Sequence, residues 1–200
     1  MKKLILIGAG GHAKSCIDVI ESTKKFKILG LIDKKNKNFF DYKVITDDKY
    51  LEKEKNNKRL SVYISIGFIK SPKNRIKIFK KLKKRNFHFP SIISKFAYVS
   101  RRSNILEGTM IHHFVVINSE VKIGYNTIVN TSSLIEHDVK VGNHCHISTG
   151  TILNGGVTVG DGTFIGSGSI VREGIKIGKE CTIGMGAVIK KDIEDFSIIK

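Results

Sequence analysis

Residues 135–165 read IEHDVKVGNHCHISTGTILNGGVTVGDGTFI, and cutting the stretch into sixes puts an aliphatic residue at the head of each: Ile135, Val141, Ile147, Leu153, Val159 and Ile165. The same register extends back through Val129, Ile123, Ile117, Ile111, Ile105 and Val99 to Ile93, and forward through Val171, Ile177 and Ile183 to Ile189, which makes 17 hexads without a break. Four positions after each aliphatic residue stands a small or aliphatic one, such as Thr127, Ser133, Cys145, Thr151, Thr163, Ser169 or Ala187, and none of the 17 is charged. A helix of period 3.6 cannot keep a six-residue repeat on one face. A parallel β-solenoid can, with one short strand and one corner per hexad and three hexads per triangular coil. Gly often follows the aliphatic residue (Gly124, Gly142, Gly160, Gly166, Gly178 and Gly184), and Gly and Asn are expected to serve the corners, where a positive φ is cheap for them. Cys145 and Cys181 fall on the small interior position two coils apart, which predicts one shared stack of core filler.

Upstream of the repeat the pattern changes. Lys3 to Ile7 reads as a buried strand, Gly8-Ala9-Gly10-Gly11-His12-Ala13 as a tight turn, and Ser15 to Ser22 as helix. A second strand, Ile28 to Ile32, ends at Asp33. The spacing fits G-x-G-x-x-A with an acid about 20 residues on, in which glycines admit a phosphate to the backbone and a helix N-terminus receives its charge. The unit ends near residue 90, too early for a dehydrogenase domain, so the motif indicates a phosphate-bearing ligand rather than a dinucleotide. A ligand-free strand–helix turn is the plainer alternative. A third strand, Leu60 to Ile66, reaches Gly67; Ser71-Pro72 reads as N-cap and first residue of a helix with Ile76, Phe79 and Leu82 on its buried stripe. Pro90 marks the boundary, giving a domain of residues 1–90 and a second of 91–200.

The chain of 200 residues carries a net charge of +17, unevenly spread. Residues 1–102 hold 27 Lys/Arg against 8 Asp/Glu, and residues 103–200 hold 8 against 10. A Lys-rich solvated face accounts for this; anionic small molecules and nucleic acid are the other candidates. The apolar run at the start of the chain stops at Gly8, too short for a secretory core, and no stretch is long enough to span a bilayer. The expectation is a cytoplasmic protein with no membrane partner. Three cysteines without a C-x-x-C predict reduced thiols, not disulfides or a thiolate metal site.

Within the repeat, Glu136, His137 and Asp138 stand side by side, which a buried strand does not accommodate. They are a solvated corner, a metal site, or a base with an orienting carboxylate. Residue 155 lies one 18-residue coil beyond His137, and it is a glycine, which leaves space beside the imidazole and an accessible backbone N–H.

A GAGGHA-type turn fused directly to hexapeptide repeats, with NTSSLIEHD at 130–138 and Pro90-Ser91-Ile92-Ile93 leading into the repeats, resembles the sialic acid O-acetyltransferase family, which includes bacterial UDP-4-amino-sugar N-acetyltransferases. The resemblance covers nearly the whole chain. It implies an α/β Rossmann-like N-terminal domain followed by a left-handed parallel β-helix, a homotrimer with active sites where protomers meet, acetyl-CoA as co-substrate running along the helix, and no metal. It also implies a nucleotide sugar held by the N-terminal unit, at Gly10, Gly11, His12 and Asp33, with Gly67 and Phe68 at a further turn. The leading expectation is N-acetylation of a nucleotide-linked amino sugar in bacterial cell-surface glycan synthesis. O-acetylation of a sialic-acid-like sugar, or a non-catalytic regulatory subunit that binds nucleotide sugars, are the alternatives.

Acetyl transfer from a thioester needs a base, an oxyanion donor and a leaving thiolate. Histidine suits the first role because it titrates near neutrality. By resemblance His137 is the base, Asp138 its orienter with Glu136 as the alternative, Gly155 the amide facing the thioester carbonyl, and Asn130 and His146 lie near the substrate and the acetyl group. Lys34 stands where some members carry a second acid, and Phe68 where a polar residue would contact a sugar better. His112, His113, His144 and His146, with His137, raise the rival of a zinc site of the γ-class carbonic anhydrase type, which lacks the GAGGHA unit.

Overall fold

The computed structural model describes residues 1–34, 39–46, 49–54 and 60–200. They divide into two compact units, one of Met1–Gly67 with Arg75–Pro90 and the other of Phe68–Asn74 with Ser91–Lys200.

In the first unit β1 (Lys2–Ile7) leads into α1 (Gly11–Thr23) and then β2 (Phe26–Ile32). After these come β3 (Val44–Ile45), α2 (Tyr50–Lys53), β4 (Leu60–Ile64) and α3 (Lys73–Lys83). The four strands form a parallel sheet in the order β3-β2-β1-β4. All five residues of β4 are buried, as are the last four of β1, the continuous apolar run of strands covered on both faces. The order reverses at β1, so the turns that follow β1 and β4 flank a topological switch point, where ligands of α/β sheets bind.

Several boundaries differ from the sequence expectation; β1 begins at Lys2 and β2 at Phe26. Helix α1 begins at Gly11, four residues before Ser15. The third strand ends at Ile64: the Ser65 N–H makes the last ladder bond, to the Ile7 carbonyl, and its hydroxyl donates to the same carbonyl and, at 2.7 Å, to that of Gly8. Ser71 Oγ accepts from the Lys73 N–H as a cap does, but the helix starts after Pro72 rather than at it. On α3, Phe79 and Leu82 are buried while Ile76 is only partly so; the fully buried side chain of the first turn is Arg75.

In the second unit each hexad contributes a two-residue strand, from β5 (Ile92–Ile93) to β21 (Val188–Ile189). Every strand is parallel to the one 18 residues away, as Leu134↔Ile152 and Ile135↔Leu153 illustrate. With a last strand, β22 (Ile198–Ile199), three sheets result, of seven, six and five strands, the three faces of a left-handed parallel β-helix. The aliphatic ladder fills the interior, with Ile117, Ile135, Leu153 and Val171 in one column. A second column, Thr109, Thr127, Cys145, Thr163 and Cys181, satisfies its polar atoms by coil-to-coil bonds: Thr127 Oγ1 donates to the Gly142 carbonyl and accepts from Cys145 N–H. Cys145 and Cys181 share that column as expected. The last coil is two residues shorter, pairing Thr182 with Ile198.

Glycine and asparagine do serve corners, as at Gly150, Gly156, Gly162 and Asn126, but the glycines directly after the aliphatic residue do not. Positive φ occurs two positions further along than Gly124 or Gly142, at Gly150, Gly156 and Gly162 but also at Phe114, Glu120, Ser132, Asp138 and Glu180. Gly124, Gly142, Gly160, Gly166 and Gly178 serve close approach instead. A Cβ on Gly124 would stand 2.6 Å from the carbonyl carbon of Gly142, and one on Gly160 would stand 2.5 Å from the Lys179 nitrogen. Among the described residues no helix is long and apolar enough to cross a membrane.

Two outcomes follow from this packing. Gly160→Ala overpacks the coil contact and is expected to destabilise the fold by about 1–3 kcal/mol, read from denaturant unfolding. Burial pushes the Cys16 and Cys145 thiols up to about 12 and raises that of Cys181. At pH 8 all three stay protonated, so a thiol-disulfide reagent should titrate none of them until the protein unfolds, then all three.

Candidate active site

Stacking at 18 residues places Ser119, His137, Gly155 and Glu173 one above another at one corner of the β-helix. The backbone ladder there is continuous: Asp138 N–H donates to Ser119 O, Gly156 N–H to His137 O, and Gly174 N–H to Gly155 O, at 2.9–3.1 Å. Asp138 occupies the left-handed region, φ 61°, a conformation Asp tolerates better than most residues. Its carboxylate Oδ2 lies 2.8 Å from His137 Nδ1. Both side chains are about two-thirds exposed, 65% and 64%. An ion pair that open to water is worth about 0–1 kcal/mol, so the contact orients the ring more than it stabilises the fold.

Glu136 points elsewhere. Its Oε2 accepts from Asn118 Nδ2 at 2.9 Å, one coil below. The structure thus brings Asp138, and not Glu136, to the imidazole. Above the ring lies Gly155, where an added Cβ would stand 2.7 Å from His137 Cε1 and 2.8 Å from Nε2. Only a glycine leaves that nitrogen open. These residues line a cleft of about 580 Å³ with Asn154, Gly156, Glu173 and Gly174.

Another corner shows what is special here. Asn143 Oδ1 accepts from Tyr125 N–H, Asp161 Oδ1 from Asn143 N–H, and Asp195 Oδ1 from Lys179 N–H, so side chains of successive coils close the backbone donors. Among the described residues neither His137 N–H nor Gly155 N–H is closed in this way. Gly155 has no side chain to reach down to His137, and Glu173 does not bond Gly155.

Asn130 and His146 are not in this cleft. Asn130 Oδ1 accepts from Thr131 N–H at 2.8 Å. His146, 7% exposed, places Nδ1 2.8 Å from the Phe68 carbonyl and sits edge-on to the Phe68 and Phe164 rings. Phe68 accordingly packs with the β-helix unit. Of the other histidines, His113 bonds Ser94 Oγ, His144 bonds Asn126, and His112 is buried, its titration pushed down to about 3 chiefly by loss of solvent and further by His146 and His113 nearby.

In the N-terminal unit, Ala9 N–H donates to Asp33 Oδ2 at 2.8 Å, which ties the glycine turn to the end of β2. Asp33 is thus a strut for the turn. Gly10 caps α1 with no side-chain bond, and a Cβ on Gly10 or Gly11 would meet nothing within 4 Å. The turn is open to a ligand. Gly67 approaches His12 closely, since its Cβ would lie 3.3 Å from the His12 Cβ and Cγ. Sequence reasoning missed Asn118, Asn154 and Glu173. The 18-residue offset that located Gly155 from His137 also gives 118 and 154 from Glu136, and 173 from Gly155.

The PglD N-terminal domain family matches residues 3–82, and the hexapeptide repeat of succinyl-transferase matches residues 156–191. Among solved structures, PerB from Caulobacter crescentus in complex with CoA and GDP-perosamine is 29% identical, with 96% of this chain and 91% of that one covered and a TM-score of 0.89. A histidine-to-asparagine mutant of perosamine N-acetyltransferase from the same organism, with the same two ligands, is 27% identical over 98% and 92%, TM-score 0.91. The acetyltransferase domain of PglB from Neisseria gonorrhoeae FA1090 in complex with acetyl coenzyme A is 26% identical over 98% and 95%, TM-score 0.91. No curated protein sequence matches. Fold and repeat define a hexapeptide-repeat transferase. Within that class the chain is similar in sequence and fold to sugar acetyltransferases, and its first 82 residues carry the match to the PglD N-terminal domain.

Gly155→Ala should push the His137 ring aside. In a ¹H–¹⁵N imidazole spectrum the His137 resonances are expected to shift while those of His88 in the other unit stay in place.

Proposed function

We propose that the protein transfers acetyl from acetyl-CoA to the amino group of a nucleotide-linked amino sugar, in bacterial cell-surface glycan synthesis. The observation that carries this reading is His137 Nδ1 against Asp138 with Gly155 over Nε2. Solved neighbours that hold CoA, acetyl-CoA and GDP-perosamine support the choice of substrates.

Asp138 accepts a hydrogen bond from Nδ1–H and so leaves Nε2 unprotonated, the tautomer a general base requires. The sugar amine attacks the thioester carbonyl carbon as His137 Nε2 takes its proton. The carbonyl oxygen becomes an oxyanion, and the Gly155 N–H is the donor at hand for it. Collapse breaks the C–S bond, and the imidazolium returns the proton to the departing thiolate. The product is an amide, CoA and a neutral base. Glu136, held by Asn118, flanks the cleft without touching the ring.

Residues 1–90 hold the nucleotide sugar through Gly10, Gly11, His12 and the Asp33-braced turn, with Gly67 beside His12. Residues 91–200 hold acetyl-CoA, with His146 near the acetyl group; Asn130 and Phe68 contribute to the sugar site where a neighbouring protomer completes it. The assembly is a homotrimer acting in the cytoplasm, where acetyl-CoA is supplied.

A thiol-release assay with acetyl-CoA against UDP-, GDP- and CMP-linked amino sugars and free sialic acids tests acceptor and atom together. His137→Ala is expected to lower turnover about 10²–10⁴-fold while nucleotide-sugar binding survives. Unchanged turnover refutes the base; acetylation of a hydroxyl acceptor alone refutes the N-acetyl assignment; binding without transfer by the wild type makes the protein a regulatory subunit.

A further inference from the structure

The N-terminal unit contains a buried cation that the proposed chemistry does not use. Arg75 is 1% exposed, yet it sits in the first turn of α3, where the helix dipole disfavours a positive charge and no acidic residue offsets it. Burying a guanidinium is costly unless its hydrogen bonds are strong. Arg75 Nη1 donates to the Ile64 carbonyl at 2.7 Å and to the Ile66 carbonyl at 2.6 Å. The two acceptors lie on either side of Ser65 in the chain. Ser65 in turn donates through its hydroxyl to Ile7 and Gly8, the first residue of the glycine turn. Beyond Ile66 comes Gly67, which abuts His12. Both lips of the switch-point crevice, the turn after β1 and the turn after β4, are thus referred to one guanidinium. Tyr63 and Cys16, its electrostatic neighbours, place it between β4 and the helix that follows the glycine turn.

We propose that Arg75 is a positioning residue for the nucleotide sugar: by bracketing Ser65 it sets the geometry of the Gly8–His12 turn that receives the nucleotide's phosphates. It touches no reacting atom. The inference rests on the assignment of a nucleotide sugar to this unit.

Direct binding of UDP and GDP, by calorimetry in the absence of acetyl-CoA, separates the two ideas. Arg75→Met and Ser65→Ala are expected to weaken binding of the nucleoside diphosphate that the wild type prefers by about 10-fold or more, the scale of a lost charge-assisted buried bond. The KM for the nucleotide sugar should rise in parallel, with the KM for acetyl-CoA and kcat at saturating sugar within about 2-fold, because the coil corner at His137 is untouched. Arg75→Lys, which keeps a cation without the planar fork, should fall between. A folded Arg75→Met or Ser65→Ala protein with lowered thermal stability but wild-type affinity and KM overturns the proposal, since a purely structural role predicts that pattern. Should Arg75→Met not fold, Ser65→Ala and Arg75→Lys distinguish the two roles by the same affinities and KM values. A wild type that acetylates but binds no nucleoside diphosphate overturns both the assignment and the inference.

Discussion

The β-helix depends on stacking identical hexad positions at an interval of 18 residues. Parallel strands bonded to one another stand about 4.8 Å apart, so each interior position meets the same position one coil away at that spacing. An aliphatic residue at the head of the hexad and a small one four places on are what such a column can hold. Where the next coil's backbone comes closer still, as Gly142 does to Gly124 and Gly178 to Gly160, only hydrogen fits. With those columns set, the corners are free to vary, and the candidate site lies at one of them.

Much of this is legible in the sequence because a repeat announces itself many times over. Period, strand position, interior columns and the cysteine stack all follow from Ile135, Val141, Ile147 and their counterparts. The glycines mislead for a physical reason: sequence shows that a side chain is missing but not whether torsion or proximity forbids it. Corner residues such as Phe114 and Asp138 adopt positive φ despite a side chain, because the coils on either side fix the path. In the site, the offset of 18 locates Gly155. The choice between Glu136 and Asp138 turns on side-chain direction, which adjacent positions do not disclose.

The N-terminal unit is harder to read. Its strands occur once each, so no repeat corrects an error of a residue or two, and the ends of β4 and α3 are displaced accordingly. Ser65 and Arg75 matter through contacts between elements distant in sequence; a serine between two isoleucines and an arginine among lysines carry no local signal. Asp33 fits its motif, and the structure adds that the motif's acid braces the turn through Ala9.

The uniform offset between partners has a consequence for how the cleft is assembled. Glu136, His137, Gly155 and Glu173, with Asn118 beneath, come from consecutive coils within a single stretch from 118 to 174, and each contact is between nearest neighbours along the solenoid. In an array whose energetics are a sum over adjacent units, folding starts anywhere and propagates. The cleft therefore inherits its spacing locally, and a coil gained or lost beyond that stretch leaves its dimensions unchanged. Length can drift in such a protein while the ruler along this cleft keeps the same graduations.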